Sequence, residues 1–158
     1  MSVYRRFATE LLPCFVTTNT CDRRRLFSSA AACDLLVRII YEVRTEIGYQ
    51  LLAFTVMPDH VHLVLVPPEG RLGQIVQLIK GRFARFYNQR ANRSGAVWQS
   101  RYHERTLRTE TALLRALEYV HHNPVVVGLV SEPEDYRWSS ANGTYVTDLG
   151  GYFGQAEA

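Results

Sequence analysis

The sequence predicts a single α+β domain: a mainly antiparallel β-sheet with helices packed against it. Three observations carry this expectation. β-rich and helix-patterned runs follow one another in the order βαββαβα. Two of the β-rich runs are joined by only Met57-Pro58-Asp59, a tight connection with Pro58 at its turn. Finally, 158 residues without an internal repeat or a linker is the length of one ordinary domain. The domain is expected to span residues 1–158, with a core over about 11–130 and a tail over about 131–158.

Each element has a local reason. Residues 11–20 (LLPCFVTTNT) are rich in β-branched and aromatic side chains and read as a first strand, with Pro13 near its start. A DRRR turn follows at 22–25. Ser28 and Ser29 can cap a helix that runs to about Ile47, since Leu35, Leu36, Ile39, Ile40 and Val43 recur at helical spacing and Gly48 can close it. Residues 49–56 and 60–66 form a β-hairpin, expected in the centre of the sheet because both runs are apolar on both faces. Leu72, Ile75, Val76, Ile79, Phe83, Phe86 and Tyr87 mark an amphipathic helix, decorated by Lys80, Arg82, Arg85 and Arg90. Residues 102–107 suit a fourth strand. Thr109 can cap a last helix, expected to stop near Asn123 because Pro124 disfavours helical dihedrals before it.

Composition narrows the functional classes. A hydrophobic content of 47% and an aromatic content of 11% argue against disorder. No apolar run approaches the roughly 18–20 residues of a membrane span. Glu10 and Pro13 interrupt any signal-peptide pattern, and the three cysteines Cys14, Cys21 and Cys33 contain no CxxC pair, so a reducing cytoplasm is expected. Charge is segregated: residues 71–108 hold nine basic side chains against the single Glu104, and seventeen of the eighteen basic residues are Arg. Arginine's planar fork suits bidentate phosphate contact, so a polyanionic partner is one reading and a solvated face is the other.

Two constellations could carry chemistry. His60 and His62 lie two apart on a strand, hence on one face, where both imidazoles can grip one cation. Taken alone, the pair is more simply explained as two polar residues at a strand end, bonded to carbonyls or water. Tyr119 on the last helix has His122 and Asn123 at i+3 and i+4 on its own face. A packing tyrosine and an Asn123 C-cap are the simpler reading of these residues.

Taken together, MPDHVHLVL, IKGRFARFYNQR, RSGAVWQSRYHE, LEYVHHNPVVVGLV and PEDYRWSS resemble the histidine–hydrophobe–histidine (HUH) single-tyrosine transposases of bacterial insertion sequences. The combination is most similar to the REP-associated tyrosine transposases, and it covers about residues 15–140. The resemblance implies an HUH nuclease domain with a ferredoxin-like βαββαβ-type core. It implies that His60 and His62 bind a divalent ion, Mg²⁺ or Mn²⁺, that Asn123 supplies a third ligand, and that Tyr119 is the nucleophile. The chain departs from the pattern at Val126 and Val127, where members commonly carry Arg-Ala, and at Phe15, where relatives often have a histidine.

The implied reaction is cleavage and rejoining of single-stranded DNA through a 5′-phosphotyrosine, beside hairpins of palindromic repeats. A free phenol is only about one part in a thousand ionised at neutral pH, so either the phosphate must be made more electrophilic, as a divalent ion can do, or the phenolate must be stabilised. Lys80, Arg82, Arg85, Arg90 and Arg101 are expected to track phosphates. Trp98 and Tyr102 are the expected stacking surfaces, with Phe86 assigned to the core and Tyr87 to its stripe. A monomer or a homodimer, in the cytoplasm or on the nucleoid, fits this reading. The rivals are a non-catalytic DNA- or RNA-binding module on the same scaffold and a metal-dependent phosphodiesterase that uses water.

Overall fold

The computed structural model describes residues 11–154, so the outer ends of the expected 1–158 domain lie outside the described residues. The elements are β1 (Cys14–Asn19), α1 (Ala30–Ile47), β2 (Gln50–Met57), β3 (His60–Val66), α2 (Leu72–Arg90), β4 (His103–Thr106), α3 (Glu110–Val126) and α4 (Leu149–Gly154). The four strands form one sheet in the order β2-β3-β1-β4, and every pairing is antiparallel. This is the expected α+β class with an antiparallel sheet.

The first helix begins where Ser29 accepts a hydrogen bond from the Ala32 N–H and ends at Gly48, whose φ of 84° few other residues adopt readily. Its Leu36, Ile39, Ile40 and Val43 are fully buried with Ile75, Ile79 and Phe83 of α2 on one face of the sheet, against Val16, Phe54, Val61, Leu63 and Leu65. On the other face α3 buries Leu113, Ala116, Leu117 and Val120 against Leu52, Ala53, Val64 and Val66. Each fully buried Leu or Val contributes about 1.5–3 kcal/mol, so α3 is held on the sheet by its own apolar stripe. A bulge between Leu51 and Ala53 turns both Leu52 and Ala53 toward α3.

Three expectations are corrected. The hairpin is only half central: β3 lies inside the sheet, but β2 is an edge strand in the sheet order. Its apolar character on both faces is explained by the tail, which covers that edge. The Val56 N–H donates to the Trp138 carbonyl at 2.9 Å, the Ser140 N–H to Phe54 at 2.9 Å, and the Leu51 N–H to the Asp148 carboxylate at 2.8 Å. Arg44 clamps the same carboxylate with two bonds, of 2.6 and 2.9 Å. Backbone groups that would otherwise invite another chain are thus satisfied within the protein.

The last helix does not stop at Asn123 but runs through Pro124 to Val126. Proline removes one backbone donor, yet the final turn is closed by Val127 N–H to Asn123, Leu129 N–H to Pro124 and Gly128 N–H to Val125, with Gly128 at φ 80°. Asn123 therefore keeps helical register with Tyr119 and is not a cap. Phe86 is the third correction. It is exposed, whereas Tyr87 beside it stays packed on the core and stacks on Phe83 at 5.5 Å.

Candidate active site

The sheet face under α3 carries Phe15, Thr17 and Asn19 of β1 and His60 and His62 of β3, because strand side chains alternate. Register places Thr17 directly opposite His62. The helix lays Ala116, Tyr119 and Asn123 over these residues. Between the two layers lies an open cleft of about 850 Å³, lined by His60, His62, Tyr119 and Asn123 together with Phe15, Arg105 and Arg115.

The two histidines meet. Their Nε2 atoms are 3.1 Å apart, and each ring is fixed through its other nitrogen. The His60 Nδ1–H donates to Asp59 Oδ1 at 2.7 Å, which leaves Nε2 with its lone pair toward the cleft. His62 Nδ1 is 2.8 Å from the Thr17 hydroxyl, a group that can either donate or accept and so permits either tautomer. Asp59 is itself held by the Arg23 Nε–H at 3.0 Å, while Arg23 Nη1 donates to Asn19 Oδ1 at 3.0 Å. Asp22 and Arg23 adopt positive φ values of 55° and 52°, a turn few side chains favour, and it delivers the guanidinium to Asp59.

Burial dominates the electrostatics. It lowers the His60 pKa, with Asp59 opposing, and it pushes His62 down to about 3, helped by His60 and Arg23. Burial alone would raise Asp59, but hydrogen bonds from His60 and Arg23 outweigh it and hold the carboxylate below its ordinary range. Both imidazoles are therefore neutral at physiological pH, the form that binds metal.

Tyr119 is 54% exposed at the mouth of the cleft. Its ring centroid is 5.4 Å from His62 and 5.9 Å from Phe15, and Phe15 stacks on His62 at 5.4 Å. Asn123 is 8% exposed, and its Oδ1 has no hydrogen-bond partner. A buried amide oxygen left unpaired beside two neutral imidazoles is a donor set with room for a hard cation. Among the described residues, no three His, Cys, Asp or Glu side chains form a group that could hold a metal ion, so any such site here would have to include the amide. His122, also on the expected face of α3, is exposed and donates from Nδ1 to the Glu118 carbonyl.

The expected DNA-contacting residues divide. Arg85, Arg90 and Arg101 are exposed. Arg82 pairs with Glu46 at 2.6 Å, and the Lys80 ammonium is turned to the Gln99 carbonyl at 2.8 Å. Trp98 is not a stacking surface: it is buried against Phe27 and Phe83 and donates its Nε1–H to the Lys80 carbonyl. Tyr102 is half-buried and shares a separate recess with Lys80 and Trp98.

Thr17, Asp59, Arg23, Arg105 and Arg115 were not foreseen as site residues. Asp59 adjoins the histidine pair in sequence and Arg115 lies one helical turn before Tyr119, so both could have been found; Thr17 and Arg105 reach the cleft through strand register, and Arg23 through its positive-φ turn. No helix among the described residues is long and apolar enough to cross a membrane.

The sequence matches the family described as "Transposase IS200 like" over residues 12–123, a span that includes both histidines, Tyr119 and Asn123. It is 27% identical to the REP-associated tyrosine transposase of Escherichia coli K12 over 158 residues, covering 96% of this chain and 92% of that protein. The fold is similar to that of a REP-associated tyrosine transposase bound to a REP hairpin, with a TM-score of 0.70, 24% identity, and 85% and 82% of the two chains covered. A crystal structure described as a transposase from Deinococcus radiodurans R1 superposes with a TM-score of 0.55 at 25% identity, over 71% of this chain and 90% of that one.

Proposed function

The chain belongs to the IS200-like transposase family, and on that premise we propose that it cleaves and rejoins single-stranded DNA beside hairpins, through a covalent bond between Tyr119 and a 5′-phosphate. The observation that carries this reading is the meeting, in one open cleft, of an exposed tyrosine, two neutral imidazoles 3.1 Å apart and an unpartnered buried amide oxygen. Hairpin DNA as the substrate is supported by the E. coli relative's name and by the REP hairpin bound to the structural neighbour.

His60, His62 and Asn123 would hold Mg²⁺ or Mn²⁺, which when bound polarises the scissile phosphate and offsets the charge that develops on it. The protein supplies the rest. Asp59 and Thr17 orient the two imidazoles, and Arg23 keeps Asp59 ionised and in place. The Tyr119 oxygen attacks phosphorus in line, the bond from phosphorus to the 3′ oxygen breaks, and a 3′-hydroxyl leaves. The phenolic proton passes to water, and the departing oxygen takes one from water. The bond energy stays in the phosphotyrosine, so the hydroxyl of another strand can reverse the step without ATP. A helix docked on a sheet limits access to a stacked duplex, which favours a single strand in the cleft.

The test is a hairpin oligonucleotide with single-stranded flanks, incubated with Mn²⁺ and resolved in detergent. The parent protein should form a denaturant-resistant DNA adduct, and Tyr119→Phe should form none while still binding the hairpin. An adduct that survives in Tyr119→Phe would assign the nucleophile elsewhere. Cleavage without any adduct would mean that water attacks.

A further inference from the structure

We propose that Arg115 is a catalytic residue that grips the scissile phosphate from the same helix that carries the nucleophile. The assignment rests on the covalent reading above and adds to it a residue outside the HUH pair and the tyrosine turn.

Geometry is the first reason. Arg115 precedes Tyr119 by four residues on α3, so the two side chains are neighbours on one helical face, with Cβ atoms about 5–6 Å apart. Both line the cleft that holds His60, His62 and Asn123.

Availability is the second. Three arginines line the cleft, and two have partners. Arg23 bonds Asp59 and Asn19, and the Arg105 guanidinium lies 5.6 Å above the Phe15 ring. The Arg115 guanidinium has no hydrogen bond, ion pair or ring contact among the described residues. Neither nearby acid claims it: Glu118, three residues further along α3, and Glu104, which also lines the cleft from β4, form no ion pair with it. An uncommitted guanidinium thus stands one helical turn from the attacking oxygen.

Chemistry is the third. As the bond from Tyr119 to phosphorus forms and the bond to the 3′ oxygen breaks, negative charge gathers on the non-bridging oxygens. A guanidinium fork donates two parallel N–H bonds to such a pair and keeps its own proton throughout. Because nucleophile and clamp share one rigid turn of helix, the same contact holds the 5′-phosphotyrosine for the returning hydroxyl.

The experiment is single-turnover adduct formation with Mn²⁺ on a hairpin oligonucleotide with single-stranded flanks. Parent, Arg115→Ala and Arg115→Lys are compared, with hairpin affinity and thermal midpoint measured for each. Arg115→Ala should slow adduct formation by about 100-fold to 1,000-fold, the usual cost of removing one preorganised donor to a developing oxyanion. Its hairpin affinity should stay within about threefold and its midpoint should be unchanged, since one exposed phosphate contact contributes little to either. Arg115→Lys should recover part of the rate, because it restores the charge without the fork. A rate for Arg115→Ala within about threefold of the parent overturns the assignment, and so does a rate loss matched by an equal loss of hairpin affinity. A parent protein that forms no adduct overturns the covalent reading and this assignment together, whereas an active parent with an unaffected variant overturns the assignment alone.

Discussion

Lowering the pH from 7 to 5 without metal should cost the folded chain about 2 kcal/mol through His62 alone. The side chain is 4% exposed, and burial, with His60 and Arg23 beside it, holds its pKa at about 3 against an ordinary 6.5. In the unfolded chain the same imidazole protonates below about 6.5, so the unfolded state binds the extra proton. Stability is therefore complete above the unfolded value and is lost progressively as pH falls from there toward the folded one. Over the interval from pH 7 to 5 the difference amounts to about 1.4 logarithmic units, at 1.36 kcal/mol for each. Asp59 and Asp148 are held below their ordinary carboxylate values and stay ionised over this range. His60 and His121 are also held low by burial and add to the loss, so the diagnostic quantity is a difference between proteins. His62→Asn keeps a polar group for Thr17 and cannot take the proton. Urea unfolding of both proteins at the two pH values, in EDTA and followed by tryptophan fluorescence, should show the parent losing about 2 kcal/mol more than the variant. Equal losses, or an NMR titration of His62 near 6.5, would refute the reasoning.

Asn123→Ala removes an oxygen that bonds nothing, so unfolding free energy should shift by less than about 1 kcal/mol while Mn²⁺ affinity, measured by calorimetry, falls by about tenfold. A large stability loss with unchanged Mn²⁺ binding would make it a packing residue. Hairpin affinity measured at four or more salt concentrations separates the basic residues of α2. Arg85→Ala should flatten the slope of log affinity against log salt by up to about 0.7, and Lys80→Ala, whose ammonium is turned to Gln99, should leave it unchanged. The reverse pattern would move the phosphate track. Asp148→Ala breaks the clamp from Arg44 and the bond from the Leu51 N–H, and with both side chains partly exposed it should cost about 1–2 kcal/mol in urea unfolding. An unchanged midpoint would mean that the tail does not secure the edge of β2.

Much of the site was legible because its residues are local to one element. An HxH on a strand must share a face, and Tyr119 and Asn123 sit one helical turn apart; both follow from periodicity alone. The parts that escaped are set by pairing across the chain. Thr17 reaches His62 across 45 residues only because β1 and β3 align at that register, and no short window of sequence contains the information. Trp98 misled because an aromatic among arginines looks the same whether its ring faces DNA or the core. Its burial depends on Phe27 and Phe83, which come from elsewhere in the chain. The tail was unreadable because it covers β2 through backbone hydrogen bonds at scattered positions and one carboxylate, which leave no side-chain period. Pro124 was over-read: its cost inside a helix is about 3 kcal/mol, but the residue is buried and the bonds around Gly128 close the last turn, which outweighs it.

The central claim is that Tyr119 carries the DNA. The most direct measurement is to trap the adduct on a hairpin oligonucleotide, digest the DNA to a short remnant and the protein with trypsin, and locate the remnant by tandem mass spectrometry. Cleavage after Arg115 and Arg137 yields a peptide of residues 116–137 that contains two tyrosines, Tyr119 and Tyr136. Tyr136 is buried with its hydroxyl donated to the Val56 carbonyl, whereas Tyr119 stands at the mouth of the cleft. The account predicts the remnant on Tyr119, linked through a 5′-phosphate and absent when EDTA is present. A remnant on any other residue, or one that forms equally well in EDTA, would contradict it.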